Sequence, residues 1–173
     1  MIKPFDEFRQ QVRGHQKDIE VSQGSMLHVY HLISKEKHIG PGQCARIVKS
    51  IDIIGEPIRE CCELMNTPES LPHPVRPLRH HLMITLQQAD GLISSLTSNI
   101  NNLHIICKDS SNQEVDSYRQ GILEQLMSLV QSKDDIVRDI DILLLEANPG
   151  KFEPVSARKR KTPCARVTTA SAS

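Results

Sequence analysis

Apolar residues recur every three or four positions along four long stretches of the chain. The first stretch carries Phe5, Phe8, Val12, Ile19, Met26, Val29 and Ile33, with His15 and Ser22 filling the gaps in the same stripe. The second carries Cys44, Ile47, Ile51, Ile54, Ile58, Cys61 and Met65. The third runs Leu78, Leu82, Leu86, Ala89, Ile93, Leu96, Ile100, Leu103 and Ile106. The fourth runs Val115, Tyr118, Ile122, Leu126, Leu129, Ile136, Ile140, Leu143 and Ala147. A period near 3.6 predicts amphipathic helices whose apolar stripes meet several neighbours. No stretch alternates with period two, so no sheet is expected.

Turn residues separate these stretches. Ile39-Gly40-Pro41-Gly42 breaks the first from the second, and Pro68, Pro72, Pro74 and Pro77 crowd the span from Asn66 to Pro77. Proline removes a backbone donor and clashes with the preceding turn, so that span predicts a loop. Lys108 to Gln113 is a polar turn with several candidate N-caps, and Asn148-Pro149-Gly150 ends the last stretch. The expected helices cover about residues 3–35, 43–65, 76–107 and 113–147, each spanning about 35–50 Å. The expected fold is all-α, an antiparallel up-and-down four-helix bundle over residues 1–148. Pro57 predicts a kink in the second helix. Gly14 and Gly24 each weaken the first by about 1 kcal/mol relative to alanine, and a break is expected near Ser22 to Ser25.

Composition narrows the function. Hydrophobic residues make up 38% of the 173 and aromatic ones only 3%, with no tryptophan. Aliphatic side chains must therefore build the core, and an aromatic platform for stacking bases is nearly excluded. No apolar run reaches the length of a membrane-spanning helix, and polar, mixed-charge Met1 to Gln10 does not read as a signal peptide. The odd number of cysteines, five, predicts reduced thiols in a cytoplasmic or nuclear protein. Acids and bases balance overall, but residues 149–173 carry +5 and residues 1–148 carry −5. Within that body, residues 1–49 are +3 and residues 50–148 are −8. A basic front, an acidic back and a basic tail predict an oriented molecule.

Candidate chemistry is sparse. The eight histidines lack metal-ligand spacing, and no Cys-x-x-Cys occurs, so no metal site is expected. Cys61-Cys62 is a candidate reactive pair, although Cys61 falls on a core stripe. With no phosphate loop and no nucleophile elbow, no enzyme and no cofactor are expected. Arg158, Lys159, Arg160 and Lys161 form a compact basic run in a tail too poor in apolar residues to fold, so residues 149–173 are expected to be disordered. Thr162-Pro163 beside the run is a candidate phosphorylation site.

Two stretches carry a resemblance. Gln43-Cys44-Ala45-Arg46-Ile47 is followed by Ile51, Ile54 and Glu56-Pro57-Ile58, and the third helix reads Leu86-Gln87-Gln88-Ala89-Asp90-Gly91-Leu92-Ile93. These resemble the N-terminal helical domain of the mixed-lineage-kinase-domain-like pseudokinase family and, more broadly, the HeLo domains of fungal cell-death proteins. The resemblance covers about residues 20–147. It implies a four-helix bundle that binds anionic phospholipids, self-assembles and permeabilises the plasma membrane in a necroptosis-like cell death. The chain departs from that pattern in three ways. Gly40-Pro41-Gly42 stands where the family has a dense cationic run, residues 50–148 are acidic, and these 173 residues do not include a pseudokinase domain.

Such an activity needs surface cations and a way to release apolar helix faces into lipid. The candidate lipid-binding residues are Lys35, Lys37, Arg46 and Lys49, which bracket the first loop, together with Arg13 and Lys17. The expected partner is an anionic phospholipid membrane bound peripherally, with homo-oligomerisation or a helical protein partner. The alternative is a non-catalytic helical adaptor that pairs with another protein, including a full-length relative. The expected location is the cytoplasm with recruitment to the plasma membrane. Nuclear entry through the basic tail is the other option, but the −5 body disfavours nucleic acid as a partner.

Overall fold

The computed structural model describes residues 4–36, 38–66 and 75–148. Among them the chain is all-helical. Helix α1 spans Pro4–Val21, α2 Gln23–Lys35, α3 Pro41–Met65, α4 Arg76–Asp109 and α5 Asn112–Glu146. The basic tail and its expected disorder lie outside the described residues, as does Lys37.

The first expected helix is two. Ser22 separates α1 from α2, and its hydroxyl donates to the Ile19 carbonyl at 2.6 Å. A serine that bonds back to its own helix competes with the backbone ladder and favours a bend. The two segments nevertheless form one rod, because Ser22 N–H donates to Asp18 O and Met26 N–H donates to Ser22 O. Helix α3 starts two residues earlier than the glycines suggest. Pro41 takes the first helical position, where a missing N–H costs nothing. The helix then runs through buried Pro57 without interruption. At α5, Ser111 accepts from the Glu114 N–H at 3.2 Å and donates to the Glu114 carboxylate at 3.0 Å, a reciprocal cap.

The buried side chains follow the stripes. Ile19, Met26, Ile33, Ile51, Ile54, Ile58, Leu82, Leu86, Leu96, Ile100 and Leu103 are sealed from solvent in one aliphatic core. Each such side chain contributes about 1.5–3 kcal/mol by leaving water. Residue pairs show how the rods lie. Asn99 Nδ2 donates to Gln125 and Thr85 Oγ1 to Asp139, so α4 and α5 run antiparallel. Gly55 faces Ile93 and Arg59 meets Asp90, so α3 and α4 run antiparallel. Gln16 meets Asp141 and Lys133 meets Gln23, so the α1–α2 rod runs antiparallel to α5. Because α1 and α2 also pack on α3, the rods close into a ring.

Glycines report how tightly neighbouring helices approach. A Cβ at Gly55 would lie 3.1 Å from Ile93 Cδ1 and 3.2 Å from its Cγ2, whereas Gly14, Gly91 and Gly121 face open space. Gly91→Ala and Gly121→Ala are each expected to stabilise the fold by about 0.5–1 kcal/mol through helix propensity. Gly55→Leu is expected to destabilise it by about 1–3 kcal/mol by overpacking against α4. Urea unfolding of the three variants checks both signs.

Candidate functional site

Three of the sequence-predicted cations fall at one end of the molecule. Lys35 ends α2, and Arg46 and Lys49 lie three apart near the start of α3, so they share a face. All three are exposed, and none pairs with a carboxylate among the described residues. Beside them a cleft of about 330 Å³ opens between the α2–α3 connection and the end of α4. His38, Ile39, Gly40, Pro41, His104, Cys107 and Lys108 line it, and no carboxylate does. Two carboxylates, Glu36 and Asp109, adjoin these residues in sequence. The start of α3 adds a partial positive charge here, since its N-cap is Gly40 with no side-chain cap and its first turn holds no acid. His104 Nδ1 is buried beside the cleft without a hydrogen-bond partner among the described residues. The sequence reading missed His38, His104 and Lys108 as a group, because only antiparallel α3 and α4 bring residue 104 beside residue 40.

The other two candidate cations are elsewhere. Lys17 is exposed on α1, eighteen positions before Lys35, or about 27 Å along a helical rod. Arg13 is engaged in the fold. It ion-pairs with Asp141 of α5 and donates to Gln16 Oε1 at 2.7 Å. Gln16 in turn donates to the Val137 carbonyl and to Asp141 Oδ1, both at 2.9 Å. A charge held this way is partly neutralised in place, so Arg13 belongs to the seam between α1 and α5 and not to the basic end.

That seam holds two polar residues the stripe reading skipped. Gln16, 8% exposed, fills the stripe between Val12 and Ile19, where His15 was expected and is only half-buried. Lys133, 5% exposed, fills the stripe between Leu129 and Ile136. Its ammonium donates to Gln23 of α2 and to neighbouring Asp134. A buried ammonium is tolerated only when its donors are satisfied, and these two acceptors serve that purpose.

Three of the described cysteines hold their protons more tightly than a free thiol. Burial pushes the Cys61 thiol up to about 12, with the neighbouring Cys62 adding to the rise, so Cys61 carries almost no thiolate at neutral pH. Cys62 is also raised, by burial first and then by Asp90 and Glu63. Cys44 is raised by burial and by Cys107, against a backbone hydrogen bond with His104. Among the described residues, no three His, Cys, Asp or Glu side chains are grouped to hold a metal, and no helix is long and apolar enough to cross a membrane.

Hydrogen bonds from Gln16 and then Arg13 hold the Asp141 carboxyl below its ordinary range. A carboxylate lowered on folding adds stability above its unfolded pKa, about 3.9, and loses it as the pH falls through the folded value. The parent Tm is therefore expected to fall more steeply below about pH 4 than that of Asp141→Asn. Between pH 5 and 8 the parent should stay higher by a constant amount. More than half of the side chain is exposed, so solvent screening limits that difference to about 0.5 kcal/mol. Thermal unfolding across the pH range checks it, and parallel curves would contradict the seam assignment.

The chain matches no protein-family model, no curated protein and no solved structure.

Proposed function

We propose that the chain is a non-enzymatic, up-and-down bundle of four rods that binds anionic phospholipid surfaces through its α2–α3 end. One observation carries this reading. Among the described residues, Lys35, Arg46 and Lys49 are exposed and without a carboxylate partner, beside a cleft whose lining includes His38, His104 and Lys108 and no carboxylate. Each cation brought to an anionic leaflet contributes about 1 kcal/mol, so several acting together support reversible peripheral binding. Self-assembly and membrane permeabilisation extend the same reading. They require an apolar face to leave the core, and the α1–α2 rod is the candidate, because a one-residue break interrupts it and polar contacts hold it to α5. The resemblance to the pseudokinase family's helical domain favours this order of events.

A helical adaptor is the second reading. Ile142 and Leu145, 40% and 61% exposed, lie three apart on one face of α5 and offer a partner helix an apolar contact.

The two readings separate in one experiment. Phosphoinositide-containing and neutral vesicles are compared for flotation and dye release at low and physiological salt. The membrane reading expects binding to the anionic vesicles alone, weakened by salt. It expects at least a tenfold loss when Lys35, Lys37, Arg46 and Lys49 are all changed to Glu. Equal binding by that variant sinks the proposed surface. No binding by the parent moves the function to the adaptor.

A further inference from the structure

A wide groove of about 670 Å³ runs between α1 and α3, at the half of the molecule away from the basic end. Gln10, Gln11, Gly14, His15 and Asp18 line one wall, and Glu60, Glu63 and Leu64 the other. Gly14 keeps the α1 wall low, since a Cβ there would meet nothing within 4 Å. Asp18, Glu60 and Glu63 carry no ion-pair partner among the described residues. Two cations of α1 lie near this wall in sequence: Arg13 is taken by Asp141 of α5, and exposed Lys17 neighbours Asp18 without an ion pair to it, which leaves three carboxylates facing one lysine.

The chain's path supplies the occupant. Arg13 pairs with Asp141 and Gln16 with Val137, so the end of α5 lies beside the beginning of α1. Asn148 therefore lies beside the first turns of α1, across that helix from the groove. Arg158 follows ten residues later, a reach of up to about 33–36 Å when extended. Crossing α1 takes about 10–12 Å, one helix diameter. Arg158-Lys159-Arg160-Lys161 is the densest cationic run in the sequence, and the groove's three carboxylates fall within that reach.

We propose that the chain's own segment Arg158–Lys161 docks in the groove between α1 and α3, opposite Asp18, Glu60 and Glu63. The contact is electrostatic and solvated, so it forms and releases readily and weakens as the Debye length shrinks from about 10 Å at 0.1 M salt to about 3 Å at 1 M. It places the tail at the end of the molecule opposite Lys35, Arg46 and Lys49, and it stands whether or not that basic end meets lipid.

Zero-length carbodiimide cross-linking of the full chain tests this. The reagent joins a lysine amine to a carboxylate in contact with it, with loss of water. An equimolar mixture of unlabelled and ¹⁵N-labelled chains is cross-linked at low salt and at 1 M NaCl, then mapped by peptide mass spectrometry. The expected products join Lys159 or Lys161 to Asp18, Glu60 or Glu63 within one chain, and fall at least fivefold at high salt. Arg158→Ser with Arg160→Ser retains both reactive lysines yet should lower the same products at least threefold. Glu60→Gln with Glu63→Gln should also lower the yield at Asp18. Cross-links spread over Asp52, Asp116 and Asp134 in proportion to exposure would overturn the proposal, as would products that are mainly mixed-isotope pairs, which would place the tail on a second copy.

Discussion

The structure depends on closing the ring between its first rod and its last. Helices α3, α4 and α5 are long and follow one another as hairpins, so their apolar stripes meet with little choice of partner. The α1–α2 rod must then seat on both α3 and α5. An aliphatic seam alone specifies register weakly, because a slip of one turn exchanges one methyl contact for another. Gln16 and Lys133 remove that freedom. The Gln16 amide finds its acceptors only where Val137 O and Asp141 both face it, and Lys133 adds a cross-helix acceptor to Asp134 only where Gln23 faces it. A shift by one turn leaves the buried amide of Gln16 without its acceptors and the ammonium of Lys133 with Asp134 alone, at about 1–3 kcal/mol for each hydrogen bond left unmade. Polar groups in an apolar seam thus trade some stability for a defined register.

Much of this fold is legible in the sequence. Every apolar position predicted for the second stripe is buried, from Cys44 to Met65, because its pattern is regular and flanked by strong breakers. The polar seam is not legible in the same way. Gln16 and Lys133 occupy stripe positions, but their residue types argue for solvent, and their cross-helix acceptors lie more than a hundred residues away in sequence. The break at Ser22 is half-legible. Glycine and serine mark the region, but the position depends on a hydroxyl bonding back to Ile19. Helix ends moved by two residues where Pro41 proved to be a start and not a stop.

The candidate site divides along the same line. Lys35, Arg46 and Lys49 are near one another because a single short connection joins their helices, and the sequence shows that directly. His104 and Lys108 join them only through antiparallel α3 and α4. Arg13 leaves the group for a reason that no local pattern reveals, a carboxylate 128 positions away. The result is a molecule with cations at one end and an acidic groove in the other half, held apart by rods that fix the distance. Such separation of charge gives a protein a preferred orientation in an external electric field or at a charged surface.

The proposed membrane activity requires the polar-held α1–α2 rod to open before the others. The rod is built from two helices interrupted at Ser22, and part of its contact with α5 is made by hydrogen bonds that water takes over when the rod swings out. Native-state hydrogen exchange at increasing, sub-denaturing urea tests this most directly. Amides of α1 and α2 are expected to exchange through an opening of lower free energy and smaller denaturant dependence than those of α3, α4 and α5. Amides of all five helices merging on one global unfolding line from the outset, or α4 exchanging first, would contradict it.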